Sequence, residues 1–307
     1  MDYESANAVC YLLSLAFLYW MERVWPYDPM WNDVAMDEGI DSQPGWQDVF
    51  HILSLTFNYA IAQTTIKAFL SFISYSPPLL PLLSSLPLPL SVFLSVHLAE
   101  IGYYWQHRFG HTFSLLWPFH AVHHQVLRVH VINAGRIHFF DQLTSNFFTF
   151  SLHYLAGFSD RDLSYVYGLY TICGMLSHCN IAMDTRVTNF IFNTPDLHRW
   201  HHSSAVSESN KNYGENLAFV DILCGTYHNP TGDTFIEALT GKAEKERDSI
   251  HGYGRVRFRD GAGILPGDRG RVFRLPKSFI GQVLAPFYAS PLTDHTLLQC
   301  LTADCEK

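Results

Sequence analysis

Histidines at helical spacing are the feature of this sequence with the clearest chemistry. The chain has 17 histidines, and twelve of them fall between His107 and His202. Three motifs stand out: HRFGH at 107–111, HAVHH at 120–124 and HRWHH at 198–202. At this histidine frequency an HxxxH arises by chance about once per chain, whereas two HxxHH motifs arise roughly 0.001 times. The pair of HxxHH motifs is therefore the specific signal.

The spacing within these motifs predicts metal binding. Residues at i, i+3 and i+4 lie on one helix face, so each motif directs two or three imidazoles to the same side. A satisfied polar residue is the ordinary role of a lone histidine, but burying eight imidazoles without partners is very costly. Imidazole binds Fe, Zn, Cu and Ni, and a closed zinc site needs only four ligands. Eight or more histidines therefore fit two metal ions with open positions.

Helices are predicted to carry these motifs. Pro118 lies two residues before His120, and Thr194 with Pro195 forms an N-cap followed by proline ahead of His198. Further apolar stretches predict four or five hydrophobic helices. These stretches are 6–21, 49–73, 90–105, 142–158 and 163–183.

The composition favours a membrane location for those helices. Charged residues make up only 16% of the chain, against roughly 25% in a typical soluble domain. Between Val49 and Gln106 the only charged residues are Lys67 and Glu100. We therefore predict an all-α fold, an integral membrane helical bundle with a histidine-rich cytosolic cap.

Three segments are predicted along the chain. Residues 1–90 hold N-terminal membrane helices and a loop, 91–229 form the catalytic domain, and 230–307 form a soluble C-terminal cap or tail where Gly, Lys, Arg and Asp return. The basic residues that flank the later helices put the histidine side in the cytoplasm by the positive-inside tendency. The net charge of -8 and the lack of a basic stripe exclude a nucleic-acid partner.

A polar stripe runs along the third apolar stretch into the first motif. It falls within an arc of roughly 80° and comprises His97, Glu100, Tyr104, His107 and His111. We expect the Glu100 carboxylate to accept a hydrogen bond from an imidazole on another helix, with His178 as the candidate. The alternative is a solvated carboxylate at the membrane interface. Weaker candidates of the same supporting kind are Asp141, Asn180, Asn212 and Asp221.

At these motifs the sequence resembles the fatty acid hydroxylase/sterol desaturase superfamily of membrane di-iron enzymes. The resemblance covers about residues 97 to 226 and includes NAGRIH at 133–138, HCN at 178–180, NTPDLHRWHH at 193–202 and NYGENLAFVDILCGT at 212–226. It implies the metal ligands His107, His111, His120, His123, His124, His198, His201 and His202, with His178 as the extra ligand that some members draw from a membrane helix. Glu100 and Asn180 are our candidates for catalytic support.

The resemblance also implies the chemistry. Two iron ions and O2 would hydroxylate or desaturate a C–H bond of a membrane lipid or sterol. Electrons would come from a separate reductase or from a cytochrome b5- or ferredoxin-like carrier, because the chain has neither HPGG nor a complete GxGxxG. The middle region offers one histidine rather than the HxxxH of the fatty acid 2-hydroxylases. The expected location is the endoplasmic reticulum in a eukaryote or the inner membrane in a bacterium.

Two alternatives stay open at this point. One is ether-lipid cleavage of the alkylglycerol monooxygenase kind, which begins with hydroxylation beside the ether oxygen. The other is a metal-binding membrane transporter or sensor, although a transporter usually distributes polar ligands over several spans near the midplane. The sequence also leaves open whether His138 is a metal ligand or a structural residue.

Overall fold

Helices form almost all of the regular structure in the part of the chain that can be described. The computed structural model describes residues 3–32, 46–77, 80–83, 85–124, 126, 128–203, 206–229, 262–264, 272–274 and 279–288. The helices are α1 (Tyr3–Val24), α2 (Trp46–Phe72), α3 (Leu80–Leu83), α4 (Leu88–Thr112), α5 (Trp117–His124), α6 (Phe139–Ala156), α7 (Asp160–Ser177), α8 (Pro195–His201), α9 (Val206–Ser209), α10 (Phe219–Cys224) and α11 (Phe279–Tyr288). Short 3-10 turns span Pro29–Asn32, Val131–Gly135 and Thr188–Phe190.

A small β-hairpin is the exception to the predicted all-α fold. Its strands are β1 (Ala262–Ile264) and β2 (Val272–Arg274), which pair antiparallel with Gly263 opposite Phe273. Most of the predicted C-terminal segment 230–307 lies outside the described residues. Its described helix, α11, packs against α2 and α5, where Gln282 contacts the ring of His51.

Local sequence explains where the helices begin and end. Ser159 caps α7 and forms a capping box with Asp162, which satisfies backbone N–H groups of the first turn. Gly157 ends α6 with φ of 99°, a left-handed conformation that glycine adopts without steric cost. Thr194 caps α8 by accepting from the Leu197 N–H, with proline in the first turn. The N-cap predicted ahead of the third motif is therefore confirmed.

The prediction of membrane-spanning helices is not confirmed. Among the residues that the structure describes, no helix combines the length and the apolar character needed to cross a membrane. Helix α2 illustrates the reason, since it has 27 residues but Asn58, Gln63 and Lys67 interrupt its apolar sequence.

The other four long helices, α1, α2, α6 and α7, form a bundle with α4. Helix α4 contacts α6 and α7, while α2 packs on α6 and α1 packs on α7. Gly102 of α4 permits the close approach to α6, because a Cβ there would collide with the Phe148 carbonyl. Apolar clusters fill the outer contacts. One joins α1 to α7 and the residues after it through Leu18, Met175 and Ile181.

Another apolar cluster joins α2, α6 and α7 through Ala62, Ile66, Phe150 and Leu163.

The short helices that carry the histidine motifs lie against this bundle. Helix α5 packs on α4 and α6, α8 packs on α7, and α10 packs on α4. The segment between α5 and α6 is held by a buried ion pair in which Arg136 Nε lies 2.6 Å from Asp48 Oδ1 of α2. Glu22 of α1 reaches the same segment, since its carboxylate accepts from the backbone N–H of Val131.

Replacement of Arg136 tests how much this buried pair contributes. Arg136→Leu leaves the Asp48 carboxylate in a site where its side chain is 0% exposed, so we expect the free energy of unfolding to fall by about 3–5 kcal/mol. Denaturant titration of the purified full chain measures the change. The matched control is Arg186→Leu, because the Arg186–Asp184 pair is 47% and 62% exposed and should contribute at most about 1 kcal/mol. Equal losses in the two variants would contradict the prediction.

Candidate metal centre

The nine predicted histidines converge in two groups where α4, α5, α7 and α8 meet. Group A comprises His107, His111, His120, His124 and His201, and group B comprises His123, His178, His198 and His202. Within each group, one atom of each ring lies within 4.8 Å of the corresponding atom of every other ring. Eight of these side chains are buried and His124 is half-buried. The structure thus brings together every residue proposed as a ligand, although their metal binding remains a prediction.

The two HxxHH motifs serve the two groups in opposite ways. In α5 the histidines at i and i+4 belong to group A and the one at i+3 belongs to group B, whereas α8 places i and i+4 in group B and i+3 in group A. Positions i+3 and i+4 lie about 100° apart around a helix axis. One short helix can therefore supply ligands to two neighbouring sites.

Group A has the donor set that a cation requires. His120 Nε2 lies 3.1 Å from Nε2 of both His111 and His124. A neutral imidazole nitrogen carries either one hydrogen or one lone pair, so these contacts cannot all be good hydrogen bonds. The Nε2 atoms of His107 and His201 are buried and have no hydrogen-bond partner among the described residues. A metal ion bound by the five rings would satisfy all of these nitrogens.

Group B shows the same arrangement. His178 Nε2 lies 3.2 Å from His123 Nε2 and 2.8 Å from His198 Nε2. Burial, followed by the neighbouring His120, lowers the pKa of His123 to about 3. The ring is therefore neutral at neutral pH and offers a lone pair to a cation. His124 of group A stacks on His202 of group B with ring centroids 4.4 Å apart, so the two groups adjoin.

Backbone carbonyls orient two rings of group A. His107 Nδ1 donates to the Tyr213 carbonyl at 2.7 Å, and His201 Nδ1 donates to the Lys211 carbonyl at 2.8 Å. Each bond places the hydrogen on Nδ1 and leaves the Nε2 lone pair facing the group. Between these carbonyls Asn212 has a positive φ of 52°, and its Nδ2 donates to the Leu197 carbonyl at the histidine-bearing helix α8.

Side-chain oxygens orient three further rings. His120 Nδ1 donates to Asp141 Oδ2 at 2.9 Å, and Gln106 Nε2 donates to the other oxygen of that carboxylate. The remaining acceptors are Asn210 Oδ1 for His111 and Asn133 Oδ1 for His178. Asp141 was expected to have this supporting role, and its contact with His120 has the carboxylate–histidine geometry common beside bound metals.

The sequence analysis missed most of these acceptors. The carbonyls of Lys211 and Tyr213 carry no signal of residue type, because every residue has a carbonyl group. Nothing in the local sequence marks Asn210 as an acceptor, and Asn133 stands out only as part of the family-like run NAGRIH. The available signal was the run NYG at 212–214, whose asparagine and glycine indicate an irregular backbone beside the third motif.

The expected contact between Glu100 and His178 is wrong. Glu100 is fully buried, and its carboxylate accepts from the backbone N–H groups of Glu215 and Asn216 at 2.7 Å and 3.2 Å and from the Tyr170 hydroxyl at 3.0 Å. It is also not a solvated interfacial group, which was the alternative. Glu100 therefore holds the loop that follows the orienting carbonyls, and its place in catalysis remains a prediction.

Two other candidates, His97 and His138, have clear positions. The ring of His97 contacts the Phe93 carbonyl of its own helix and takes no part in the Glu100 contacts. His138 has both ring nitrogens occupied, since Nδ1 accepts from the Phe140 N–H and Nε2 contacts the Val283 carbonyl, and it belongs to neither group.

Asn180 and Asp221 hold backbone segments. The Asn180 side chain makes two contacts with the backbone of Asp28, which follows α1. Asp221 accepts from the N–H groups of Tyr213 and Gly214 at 2.9 Å and 2.7 Å. Asp221 thus stabilises the loop that orients His107, whereas the catalytic role proposed for Asn180 stays a prediction.

Comparison with known proteins agrees with the resemblance noted in the sequence. A family model described as fatty acid hydroxylase matches residues 92–226. A protein named ornithine lipid hydroxylase OlsE, from Rhizobium tropici, is 37% identical over 246 residues, which cover 77% of this chain and 72% of that protein. The chain belongs to the fatty acid hydroxylase family. All nine histidines of groups A and B lie within the residues that match the family model.

The chain is also similar, over a shorter stretch, to alkylglycerol monooxygenases. The protein from Danio rerio is 32% identical over 141 residues, which cover 46% of this chain and 31% of that protein. The protein from Homo sapiens is 29% identical over 143 residues, which cover 45% of this chain and 30% of that protein. No solved structure matches the chain.

Paired substitutions test whether the two groups are separate metal sites. We expect the wild-type chain to hold about two metal ions, because its nine imidazoles exceed the needs of one. His107→Ala with His111→Ala should remove the ion of group A, and His178→Ala with His202→Ala should remove that of group B. Metal analysis after dialysis against a weak chelator should give about one ion per chain in each case. His97→Ala is the control and should retain both ions; full occupancy in both paired variants would rule out the assignment.

Replacement of Glu100 tests its role in holding the loop. Glu100→Gln puts an amide NH2 in place of one carboxylate oxygen, facing backbone N–H donors, so we expect the free energy of unfolding to fall by about 1–3 kcal/mol. The metal content of group A should fall as well, because the loop orients His107 and His201. Asp184→Asn, at an exposed carboxylate, is the control for both measurements. Wild-type stability and metal content in Glu100→Gln would show that the loop does not depend on this carboxylate.

Proposed function

We propose that this chain is an O2-dependent lipid hydroxylase in which groups A and B each hold one iron ion. The observation that carries the proposal is the pair of adjoining groups of buried imidazoles, each with its ligand atoms within 4.8 Å of one another. Family membership favours a lipid hydroxylase. Imidazole alone does not distinguish iron from zinc or copper, so the choice of iron rests on the family.

A cavity beside the histidines supports the binding of an organic substrate. It has a volume of about 120 Å³ and lies among α1, α2, α4, α6 and α7. Four rings of the two groups line one end, namely His120, His123, His178 and His198. Apolar side chains line much of the rest, including Ile52, Leu55, Val131, Phe150 and Met175. Part of a lipid bound here would place a C–H bond beside the metal ligands.

Bound iron would supply the activation of O2. The overall reaction inserts one oxygen atom into a C–H bond and reduces the other to water, which consumes two electrons and two protons. A separate electron donor would provide the electrons. The chain's own residues would keep the imidazole rings in position. Asp141 and the carbonyls of Lys211 and Tyr213 accept hydrogen bonds from these rings. Burial of the rings would keep bulk water away from the reaction.

The relatives favour a polar lipid as the substrate. The protein named for ornithine lipid hydroxylation shares 37% identity over most of both chains, so a lipid of that kind is the leading candidate. Ether-lipid cleavage is the second candidate, supported by the match to the alkylglycerol monooxygenases, which extends over only 31% of the protein from Danio rerio. Sterol oxidation and desaturation have no comparable support.

Exposed apolar side chains support a location at a lipid membrane. Helix α1 exposes Leu13 and Phe17 by 65% and 57%, and α2 exposes Phe57 and Phe72 by 68% and 86%. Exposed apolar surface of this extent commonly marks contact with a partner or a membrane. We propose that this surface contacts the bilayer, that the histidine groups face the cytoplasm, and that residues 91–229 form the catalytic domain.

Oxygen-18 labelling tests the function. The full chain, purified in detergent and loaded with ferrous iron, is supplied with a chemical reductant, ¹⁸O2 and either an ornithine lipid or an alkylglycerol. Mass spectrometry should show one ¹⁸O atom in the hydroxylated ornithine lipid. Release of a fatty aldehyde from the alkylglycerol would instead identify ether cleavage.

Controls separate these activities from metal binding without turnover. The His178→Ala, His202→Ala variant should lose incorporation, whereas His97→Ala should retain it. If the iron-loaded wild type transfers no oxygen to either lipid but moves metal ions across liposomes, the chain is a transporter and the proposal fails.

A further inference from the structure

Part of the wall of the cavity beside the histidines is polar. Helix α6 supplies much of that wall, because residues spaced by four lie on one face. Asp141, Ser145 and Thr149 follow this spacing, and Gln142 and Asn146 lie beside them. This polar wall serves no metal-binding purpose beyond the contact of Asp141 with His120, so it points to recognition of a polar group on the substrate.

Glu215 brings a carboxyl group to this wall. Its side chain is half-buried and lines the cavity, where the Tyr103 hydroxyl hydrogen bonds to the carboxylate. Gly174 makes room for it, because a Cβ at that position would collide with Glu215 Oε1.

The Glu215 carboxylate has no cationic partner in this cavity. No Lys or Arg is found among the described residues that line it. The neighbouring carboxylate of Glu100 already accepts from the backbone N–H of Glu215. Asp141, the other acidic lining residue, is engaged by His120 and Gln106. A charged carboxylate in such a place is costly unless a cation binds beside it.

Asn146 provides the second and independent observation. It is 4% exposed, and its Oδ1 accepts from Gln142 Nε2 at 3.1 Å. Its Nδ2 is buried and has no hydrogen-bond partner among the described residues. An unsatisfied buried donor costs about 1–3 kcal/mol, so an oxygen atom of a ligand in the cavity would remove this penalty.

We propose that Glu215 and Asn146 form a subsite for the head group of an amine-bearing lipid. The Glu215 carboxylate accepts hydrogen bonds from a primary ammonium group, and Asn146 Nδ2 donates to a carbonyl or hydroxyl oxygen of the same head group. The subsite rests on the proposed function only in taking a lipid as the ligand. Because it opens onto the same cavity as His120 and His178, it would place carbon atoms near the head group, rather than the far end of an acyl chain, beside the metal ligands.

A matched pair of lipids tests the subsite without turnover. Sphinganine and N-acetylsphinganine share one chain and two hydroxyl groups. Acetylation removes the positive charge of the nitrogen and adds a small amide group. Equilibrium binding of each lipid to the iron-loaded full chain in detergent is measured under nitrogen, so no oxygen chemistry intervenes. We expect the wild type to bind sphinganine at least about tenfold more tightly, since one charge-assisted hydrogen bond is worth roughly 10- to 100-fold in Kd.

The variants separate charge recognition from a structural role. Glu215→Gln should weaken sphinganine binding by roughly 10- to 100-fold and leave N-acetylsphinganine within about twofold of wild type. Glu215→Asp should keep the preference for the amine. Asn146→Ala should weaken both lipids to the same degree, and Asp184→Asn, at an exposed carboxylate, should change neither. Metal content and thermal unfolding of each variant confirm that it is folded.

Two results would overturn the proposal. One is a wild type that does not prefer the amine. The other is a Glu215→Gln variant that loses both lipids equally, as it would if the carboxylate only supported the loop or carried protons. Oxygen transfer to a neutral lipid combined with no amine preference would remove the subsite and leave the proposed function intact. Amine preference without oxygen transfer to any lipid would support the subsite and contradict the proposed function.

Discussion

Nine imidazole rings must meet in the protein interior with one nitrogen of each ring facing its group, and the rest of the structure serves that constraint. A buried imidazole has two polar nitrogens, and each needs a partner. The inward nitrogens face one another within 4.8 Å, where only a cation satisfies them together. Several of the outward nitrogens must therefore find fixed acceptors in the surrounding protein.

The loop after α9 supplies many of those acceptors. Its carbonyls at Lys211 and Tyr213 accept from group A, while its N–H groups donate to the carboxylates of Asp221 and Glu100. Glu100 and His107 both belong to α4, seven residues and about 10.5 Å apart along the helix. One helix therefore provides a histidine and, two turns away, the carboxylate that fixes the loop orienting that histidine.

The short helices that carry the histidine motifs depend on the bundle of long helices for their stability. Helices α5 and α8 have 8 and 7 residues, too few to be stable in isolation. They gain order from packing on α4, α6 and α7 and from caps such as Thr194. The opposite use of the two HxxHH motifs then follows from geometry, because each short helix lies between two sites and offers each of them a different face.

The same structural elements serve both the histidine groups and the cavity beside them. Helix α6 orients His120 through Asp141 and, on the same face, presents Asn146 to the cavity. The loop that holds His107 also carries Glu215 into the cavity. In the proposed enzyme, placement of the metal ligands and recognition of a polar group on the substrate would therefore be structurally coupled.

The sequence by itself determined the histidines, their helical faces and the start of α8, because spacing and capping depend on residues close together in the chain. It did not determine which rings share a group, nor that Glu100 binds the backbone of Glu215 and Asn216 instead of a histidine. The contacts of Glu100 join residues more than 100 positions apart, so they follow from helix packing rather than from a local sequence pattern. Backbone acceptors such as the Tyr213 carbonyl were equally hidden, since every residue type offers the same group and only the tertiary structure decides where it points.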